Sequence, residues 1–292
     1  MTLERTIPPP IRDPHPPRVA LPAGACDAHC HVFGPAHRFP FAPDRTYTPP
    51  DSGFEELIAL QQTLGLSRAV LVQASCHGTD NSAMLDALRR GEGRFAGVAM
   101  VEDSVGDHEL AEMHRVGVRG IRFNFVRHLQ GSTDTGRVLT LAERVASLGW
   151  HLDLHFDADQ LSRFADFLRR LPTPFIIDHM GRVNAGEGVD QEPFRLLLDL
   201  LRAEERAWVK ISGPERLSST GAPEYRDVLP LARELIDAAP DRVLWGTDWP
   251  HPNVPHMPDD GDLVDLLIDV APDEMMRSQI LVDNPERLYD FA

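Results

Sequence analysis

The protein is a chain of 292 residues, of which 42% are apolar and 25% charged, a composition typical of globular proteins. It carries 29 Lys and Arg against 45 Asp and Glu, a formal net charge of −16, so we expect no binding to nucleic acid or to an anionic membrane surface. No apolar run is long enough to span a membrane. Three cysteines, Cys26, Cys30 and Cys76, do not indicate a disulfide framework, and we expect a cytoplasmic protein.

The chain begins with a proline-rich stretch and then alternates short apolar runs with amphipathic ones. Residues 1–24 show no periodicity, and we interpret them as an extended arm preceding a single domain over residues 25–292. The apolar runs predict strands over residues 24–31, 69–75, 95–101, 118–123, 150–156, 175–179, 207–212 and 242–246. The amphipathic runs predict helices over residues 54–64, 81–90, 108–116, 138–148, 159–171, 192–201 and 225–238, with a closing helix near residues 272–281.

This alternation predicts an α/β fold, a closed (β/α)₈ TIM barrel. Apolar strands separated by helices are typical of a parallel sheet that is covered on both faces. Eight such units in about 260 residues favour a closed barrel over an open, doubly wound sheet. No G-x-G-x-x-G follows a strand, which argues against a dinucleotide site. In such a barrel the active site lies at the C-terminal ends of the strands.

Polar or ionisable side chains end most of the predicted strands. In the first strand, alternation predicts that Asp27, His29 and His31 point into the barrel mouth. The small residues between them are predicted to pack against the helices: Cys26, Ala28 and Cys30. The other strand ends carry Ser75 and His77, Arg122 with Arg127 and His128, His155, Asp178 to Arg182, Lys210 with Arg216, and Asp248 with His251 and Asn253. Because a buried ionisable group is costly unless it is paired or coordinated, we expect one shared site.

Five sequence blocks lie at these strand ends: DAHCHVFGP (27–35), VQASCHGTDN (72–81), GIRFNF (120–125), IDHMGR (177–182) and WGTDWPHPN (245–253). Together they resemble the amidohydrolase superfamily, in the branch that contains the 2-pyrone-4,6-dicarboxylate lactonase and the 4-sulfomuconolactone hydrolases. The resemblance runs from Asp27 to Tyr289 and implies a barrel enzyme that hydrolyses lactones. It also implies catalytic or substrate-binding roles at the matching positions: His29, His31, Tyr47, Ser75, His77, Arg122, His179, Arg182, Arg216, Asp248, His251 and Asn253.

Two positions depart from the pyrone lactonase. That enzyme works without a metal and has Tyr at the end of strand five, where this chain has His155. It has Arg in the loop after strand four, where this chain has His128 beside Arg127. Metal-using relatives place a histidine ligand at the end of strand five. The resemblance therefore implies one divalent ion, most simply Zn²⁺, held by His29, His31, His155 and Asp248. The alternative is a metal-free site in which His155 only forms hydrogen bonds.

The predicted reaction is hydrolysis of a small lactone that carries carboxylate or sulfonate groups, of the kind formed in the degradation of aromatic compounds. Asp248 is the expected general base, with His29 and His31 beside it, and His179 is expected to assist the developing oxyanion or the leaving oxygen. Paired donors are expected to hold the anionic groups, from Arg122, Arg127, Arg182 and Arg216. Further substrate contacts are expected from Tyr47, Ser75, His77, His128, His251 and Asn253.

Two alternative functions are open. One is a lactone isomerase or a decarboxylase of the same superfamily. The other is a non-catalytic barrel that binds acids, which would keep the arginines but would not need Asp248.

Overall fold

A computed structural model describes residues 5–129 and 134–291. Within these residues, eight parallel strands form one sheet in which each strand pairs with the next along the chain. The strands, labelled β1 to β8, are Cys26–Cys30, Arg68–Val72, Phe95–Ala99, Val118–Asn124, His151–His155, Phe175–Ile177, Ala207–Lys210 and Val243–Leu244. The predicted TIM barrel is confirmed. Residues 1–4 of the predicted arm, 130–133 and 292 lie outside the described residues.

Backbone hydrogen bonds join β1 to the segment that follows β8. The Asp248 N–H donates to the His29 carbonyl at 2.8 Å, and the His31 N–H donates to the Trp249 carbonyl at 2.8 Å. Gly246 permits this approach, because a Cβ there would lie 2.5 Å from the His29 backbone nitrogen. The barrel closure thus brings side chains from opposite ends of the chain to one mouth.

Helices cover the outside of the barrel. Those that follow β1 to β8 are α1 to α8: Phe54–Leu64, Ser82–Arg90, Asp107–Val116, Thr135–Ala146, Leu161–Arg169, Glu192–Ala203, Val228–Ala238 and Asp260–Val270. A one-turn helix, Pro214–Leu217, lies between β7 and α7, and the chain closes with α9 (Glu274–Ser278) and α10 (Asn284–Tyr289), joined by the π-helical turn Gln279–Asp283. No described helix is long and apolar enough to cross a bilayer.

Helix α8 is absent from the sequence prediction. Its apolar residues Leu263, Leu267 and Val270 have helical spacing and are buried. Asp259 caps its N-terminus by accepting the Gly261 N–H. The apolar spacing is visible in the sequence DGDLVDLLIDV, so this helix could have been predicted from its periodicity.

The predicted alternation along β1 is wrong at the start of the strand, for Cys26 and Ala28. Cys26 and Ala28 join an apolar cluster with residues of neighbouring strands, whereas Cys30 joins the separate cluster formed with the helices. The pairing register of β1 shifts between Asp27 and Cys30, which is the signature of a bulge. Asp27 instead accepts hydrogen bonds from Thr247, at 2.6 Å from its hydroxyl.

The N-terminal arm lies against two parts of the barrel. Its residues Arg5–Thr6 pair in parallel with Tyr47–Thr48. Farther along, His15 Nε2 lies 2.9 Å from Asp262 Oδ1, and Arg18 Nη2 donates to Asp269 on α8 at 2.8 Å. The arm therefore connects the segment that carries Tyr47 with helix α8.

Candidate active site

The strand ends and the loops after them surround one pocket at the barrel mouth. Its wall consists of His31, Tyr47, Ala74, Ser75, Arg122, His128, Leu129, His155, His179, Arg216, Asp248, Pro252 and Asn253. A cavity of about 330 Å³ adjoins this pocket and shares Ser75, Arg122 and Leu129 with it. Most of the residues predicted from the sequence are therefore brought together.

Asp248 is the buried carboxylate of this pocket. Its Oδ2 accepts hydrogen bonds from Arg216 Nε at 2.9 Å and from Arg216 Nη2, and its Oδ1 lies 3.1 Å from His31 Nε2. Burial disfavours its charged form, but the Arg216 guanidinium, and then His179, hold the pKa of Asp248 well below its usual value. Asp248 is therefore ionised at neutral pH, with Oδ1 directed at the histidines.

His29 and His31 present Nε2 atoms to the same carboxylate oxygen. His29 Nε2 is buried 3.6 Å from Asp248 Oδ1 and has no hydrogen-bond partner within the described ranges. His31 Nδ1 donates to the Val72 carbonyl at 2.7 Å, so in a neutral ring the lone pair is on Nε2, the atom that would bind an ion. The three donor atoms lie within 4.8 Å of one another. Two imidazole nitrogens and one carboxylate oxygen fit a divalent ion such as Zn²⁺.

His155, the predicted fourth ligand, lies farther round the pocket. Its Nδ1 is 3.2 Å from Asn124 Oδ1, and its Nε2 is 3.5 Å from Arg182 Nη1. Burial, and then the Arg122 guanidinium, lower the pKa of this imidazole well below its usual value, so the ring is neutral. Among the residues that the structure describes, His155 is not in the three-donor cluster at Asp248, and its ligand role stays a prediction.

Backbone strain is concentrated in the two loops that carry His179 and Asp248. His179 and Arg182, after β6, have φ of 50° and 53°, and Asp248, after β8, has φ of 65°. Residues other than glycine rarely adopt such angles, and they cluster at functional sites. His179 Nδ1 is hydrogen-bonded to Ser212 Oγ at 2.9 Å, and burial lowers its pKa to about 3. A neutral imidazole therefore faces the pocket.

Three of the four predicted arginines lie at the pocket or directly behind its wall. Arg122 Nη2 donates to Asp178 at 3.2 Å, while its buried Nε has no hydrogen-bond partner in the described part of the chain. Arg182 lies beside His155, and Arg216 lies beside Asp248. The Arg127 side chain is 67% exposed and pairs with neighbouring surface carboxylates. Three guanidinium groups thus gather at one side of the pocket in a protein of net charge −16, each beside a carboxylate: Arg122 beside Asp178, Arg182 beside Asp157 and Arg216 beside Asp248.

Four further predicted residues line the pocket. Ser75 Oγ donates to Tyr47 Oη at 3.5 Å, and Tyr47 is fully buried. His128 and Asn253 complete this part of the wall. Burial, and then Arg182, lower the pKa of His128 to about 4, so it contributes a neutral ring. These groups offer uncharged hydrogen bonds to a ligand.

Two predicted substrate contacts lie outside the pocket wall. His77 Nε2 accepts the Gly34 N–H at 3.2 Å, and its Nδ1 donates to a backbone carbonyl, so both ring nitrogens hold the loop. His251 forms a buried pair with Asp260, with Nε2 3.1 Å from Oδ1. In these positions both rings support the loops behind the pocket, and their contact with substrate stays a prediction.

A buried charged group beneath the pocket received no role from the sequence. It consists of Asp153, Asp178 and Lys210, all fully buried. Lys210 Nζ lies 2.6 Å from Asp153 Oδ2 and 3.3 Å from Asp178 Oδ1. Lys210 ends β7 and Asp178 directly follows β6, which is the signal that could have connected these two with the site, whereas Asp153 lies in the middle of β5.

The fold and the site agree with a known family. A family model described as amidohydrolase matches residues 26–291. The chain belongs to the amidohydrolase family. The resemblance seen in the five sequence blocks is thereby confirmed.

Individual amidohydrolases are similar over nearly the whole chain. The 2-pyrone-4,6-dicarboxylate hydrolase of Comamonas testosteroni is 50% identical over 285 residues, covering 95% of this chain and 93% of that protein. The 4-sulfomuconolactone hydrolase of Hydrogenophaga intermedia is 46% identical over 279 residues, covering 94% and 91%. A solved structure from Pseudomonas putida, described as a 2-pyrone-4,6-dicarboxylic acid hydrolase, has a TM-score of 0.81 and 34% identity, covering 93% of this chain and 99% of that one.

Proposed function

We propose that this amidohydrolase opens the ring of a small anionic lactone by hydrolysis. The observation that carries the proposal is the ionised, buried Asp248 within a pocket that Arg122 and Arg216 line, with Arg182 behind its wall beside His155. The curated relatives support it, because one is named for a dicarboxylate and the other for a sulfonated lactone. The shared substrate class is a lactone that carries acidic groups.

Asp248 is the general base in this proposal. Its carboxylate takes a proton from water, the water oxygen adds to the lactone carbonyl, and the ring C–O bond of the tetrahedral intermediate then breaks. The proton held by Asp248 passes to the ring oxygen that leaves. The product is an open-chain acid, and one proton is released to solvent when that acid ionises at neutral pH.

His179 stabilises the charge that develops on the carbonyl oxygen. When its Nδ1 accepts a hydrogen bond from the Ser212 hydroxyl, the neutral ring carries its one proton on Nε2, and this N–H donates a hydrogen bond to the oxyanion. Arg122 and Arg182 bind the acidic substituents and orient the ring. Arg216 holds Asp248 and adds positive charge to the same wall.

His29, His31 and Asp248 are the residues that would hold a single divalent ion, which we propose to be Zn²⁺. Such an ion lowers the pKa of water and polarises a carbonyl. The proposal rests on the unpartnered His29 Nε2 and on the close approach of the three donors. His155 is the proposed fourth ligand and would have to turn away from Arg182 to reach the cluster.

A proton-release assay with acidic lactones tests the proposed reaction. Hydrolysis consumes the ring and releases one proton per turnover, isomerisation releases none, and decarboxylation releases carbon dioxide. We expect ring opening with stoichiometric proton release from a lactone that carries carboxylate or sulfonate groups. Asp248→Asn is expected to bind the same acids without turnover. Binding without turnover by the wild-type protein across the panel would show a non-catalytic barrel.

A further inference from the structure

Asp178 contacts three side chains, those of His29, Lys210 and Arg122. It is fully buried. Its Oδ1 lies 3.3 Å from His29 Nδ1 and 3.3 Å from Lys210 Nζ. Its Oδ2 accepts a hydrogen bond from Arg122 Nη2 at 3.2 Å. One carboxylate therefore contacts both a proposed metal ligand and a proposed substrate-binding arginine.

The position of Lys210 argues against a direct ligand role for Asp178. Asp178, His29 and His179 form a second cluster of donor atoms close enough for an ion. However, the Lys210 ammonium already lies 3.3 Å from Asp178 Oδ1 and 3.1 Å from His29 Nδ1. A metal ion bound by this second cluster would lie close to the buried Lys210 ammonium, and the repulsion between two buried positive charges is strongly unfavourable.

We propose that Asp178 is a positioning residue that directs the His29 Nε2 lone pair into the active site and holds the Arg122 guanidinium at its wall. This inference rests on the proposed function, because it concerns the same metal ligand and the same anion-binding group. It assigns Asp178 no contact with substrate or with the reacting atoms.

The physical basis is the tautomer of His29. Its Nδ1 faces two groups with opposite demands. Lys210 Nζ lies 3.1 Å away and can donate a hydrogen bond to it, whereas Asp178 Oδ1 lies 3.3 Å away, is buried without a hydrogen-bond partner among the described residues, and can accept a hydrogen bond from it. A ligand on Nε2 requires the proton on Nδ1, and a carboxylate is the acceptor that favours this tautomer. The Lys210 ammonium is still paired with the carboxylates of Asp153 and Asp178.

Asp153 offers a matched control. It is as buried as Asp178 and contacts the same ammonium, with Oδ2 2.6 Å from Lys210 Nζ, but in the described part of the chain it forms no hydrogen bond or ion pair with His29 or Arg122. The two substitutions, Asp178→Asn and Asp153→Asn, therefore each remove one carboxylate from the same buried group. Only the first removes an acceptor for His29 and a partner for Arg122.

The test measures Co²⁺ binding by its visible absorption spectrum, together with steady-state kinetics on an acidic lactone. We expect Asp178→Asn to weaken Co²⁺ binding about 10- to 100-fold, to change the spectrum and to raise KM. Asp153→Asn is expected to keep the spectrum and to stay within about threefold of wild type in affinity and KM. Equal effects of the two variants would show a merely structural role and overturn the proposal.

A measurement on the wild-type protein covers the case in which Asp178→Asn does not fold. Nitrogen-15 spectra of histidine-labelled, Zn²⁺-loaded protein are expected to show His29 protonated on Nδ1. A proton on Nε2 would overturn the proposal. If the wild-type protein binds neither Co²⁺ nor Zn²⁺, the proposed metal site fails and this inference fails with it. If the wild type binds the ion and Asp178→Asn binds it equally well, only this inference fails.

Discussion

Replacing Arg216 with Met tests whether this arginine holds Asp248 in its ionised form. The Arg216 side chain is 9% exposed, and its guanidinium pairs with Asp248 Oδ2 and lies 3.3 Å from Glu215 Oε1. Neither Glu215 oxygen has a hydrogen-bond partner among residues 5–129 and 134–291. The methionine would therefore leave two buried carboxylates without their cation. Removing one partner of a buried pair costs about 3–5 kcal/mol, and with two carboxylates affected we expect about 5 kcal/mol.

The pH dependence has a definite sign. Because the pKa of Asp248 is held below its unfolded value, the pair stabilises the folded protein above about pH 4, and this stability is lost as the pH falls through the folded pKa. Without Arg216 the pKa of Asp248 rises. We therefore expect the acid limb of kcat/KM to move to higher pH, because the base must be deprotonated, and we expect the loss of stability to be largest near pH 7.

Urea unfolding followed by circular dichroism, at several pH values, measures the stability, and initial rates measure the acid limb. Arg202→Met is the matched control, since Arg202 is half exposed on α6 and its Nη1 lies 3.9 Å from Asp199. We expect Arg202→Met to match wild type in both measurements. If Arg216→Met is as stable as this control and its acid limb does not move, the reasoning about Arg216 is wrong.

Three further expectations concern the metal, the substrate and the arm. His155→Tyr should fold normally and bind Zn²⁺ more weakly by equilibrium dialysis, and full activity of chelator-treated wild type would contradict the metal proposal. Arg182→Met should raise KM about 30-fold or more for a doubly charged lactone, and much less for a neutral one, because a lost buried ion contact costs about 2–5 kcal/mol; equal effects would show a structural role. The hydrogen bond to Asp262 raises the pKa of His15 to about 9, so its contribution to holding the arm should be complete below about pH 6.5 and lost as the pH rises through 9. Amide hydrogen exchange of the arm, measured as the pH rises in the wild-type protein and in His15→Gln, checks this. If the protection of the arm falls no more in wild type than in His15→Gln, the expectation is refuted.

The sequence by itself determined the barrel and the end of the barrel that carries the site. Strand and helix periodicity are local properties of the chain, so each apolar run could be read without its neighbours. In a closed parallel barrel all the strand ends meet, and the polar residues there had to converge. His29 and Asp248 could therefore be placed at one mouth, although they are far apart in the chain.

Only the tertiary structure decided which of these side chains form pairs. The bulge in β1 depends on its register with β2 and therefore could not be read from simple alternation. Arg216 binds Asp248, while Arg127, also predicted at the site, turns outward to surface carboxylates. These partners depend on strand register and side-chain rotamers.

The buried group of Asp153, Asp178 and Lys210 shows the same limit. Each residue, taken alone, is only a charged residue within or just after an apolar run. Lys210 and Asp153 are 57 residues apart in the chain. They pair because a buried charge is stable only beside an opposite charge. The local pattern therefore identified where polar groups gather. The packed barrel decided which of them pair, which orient a neighbour and which face solvent.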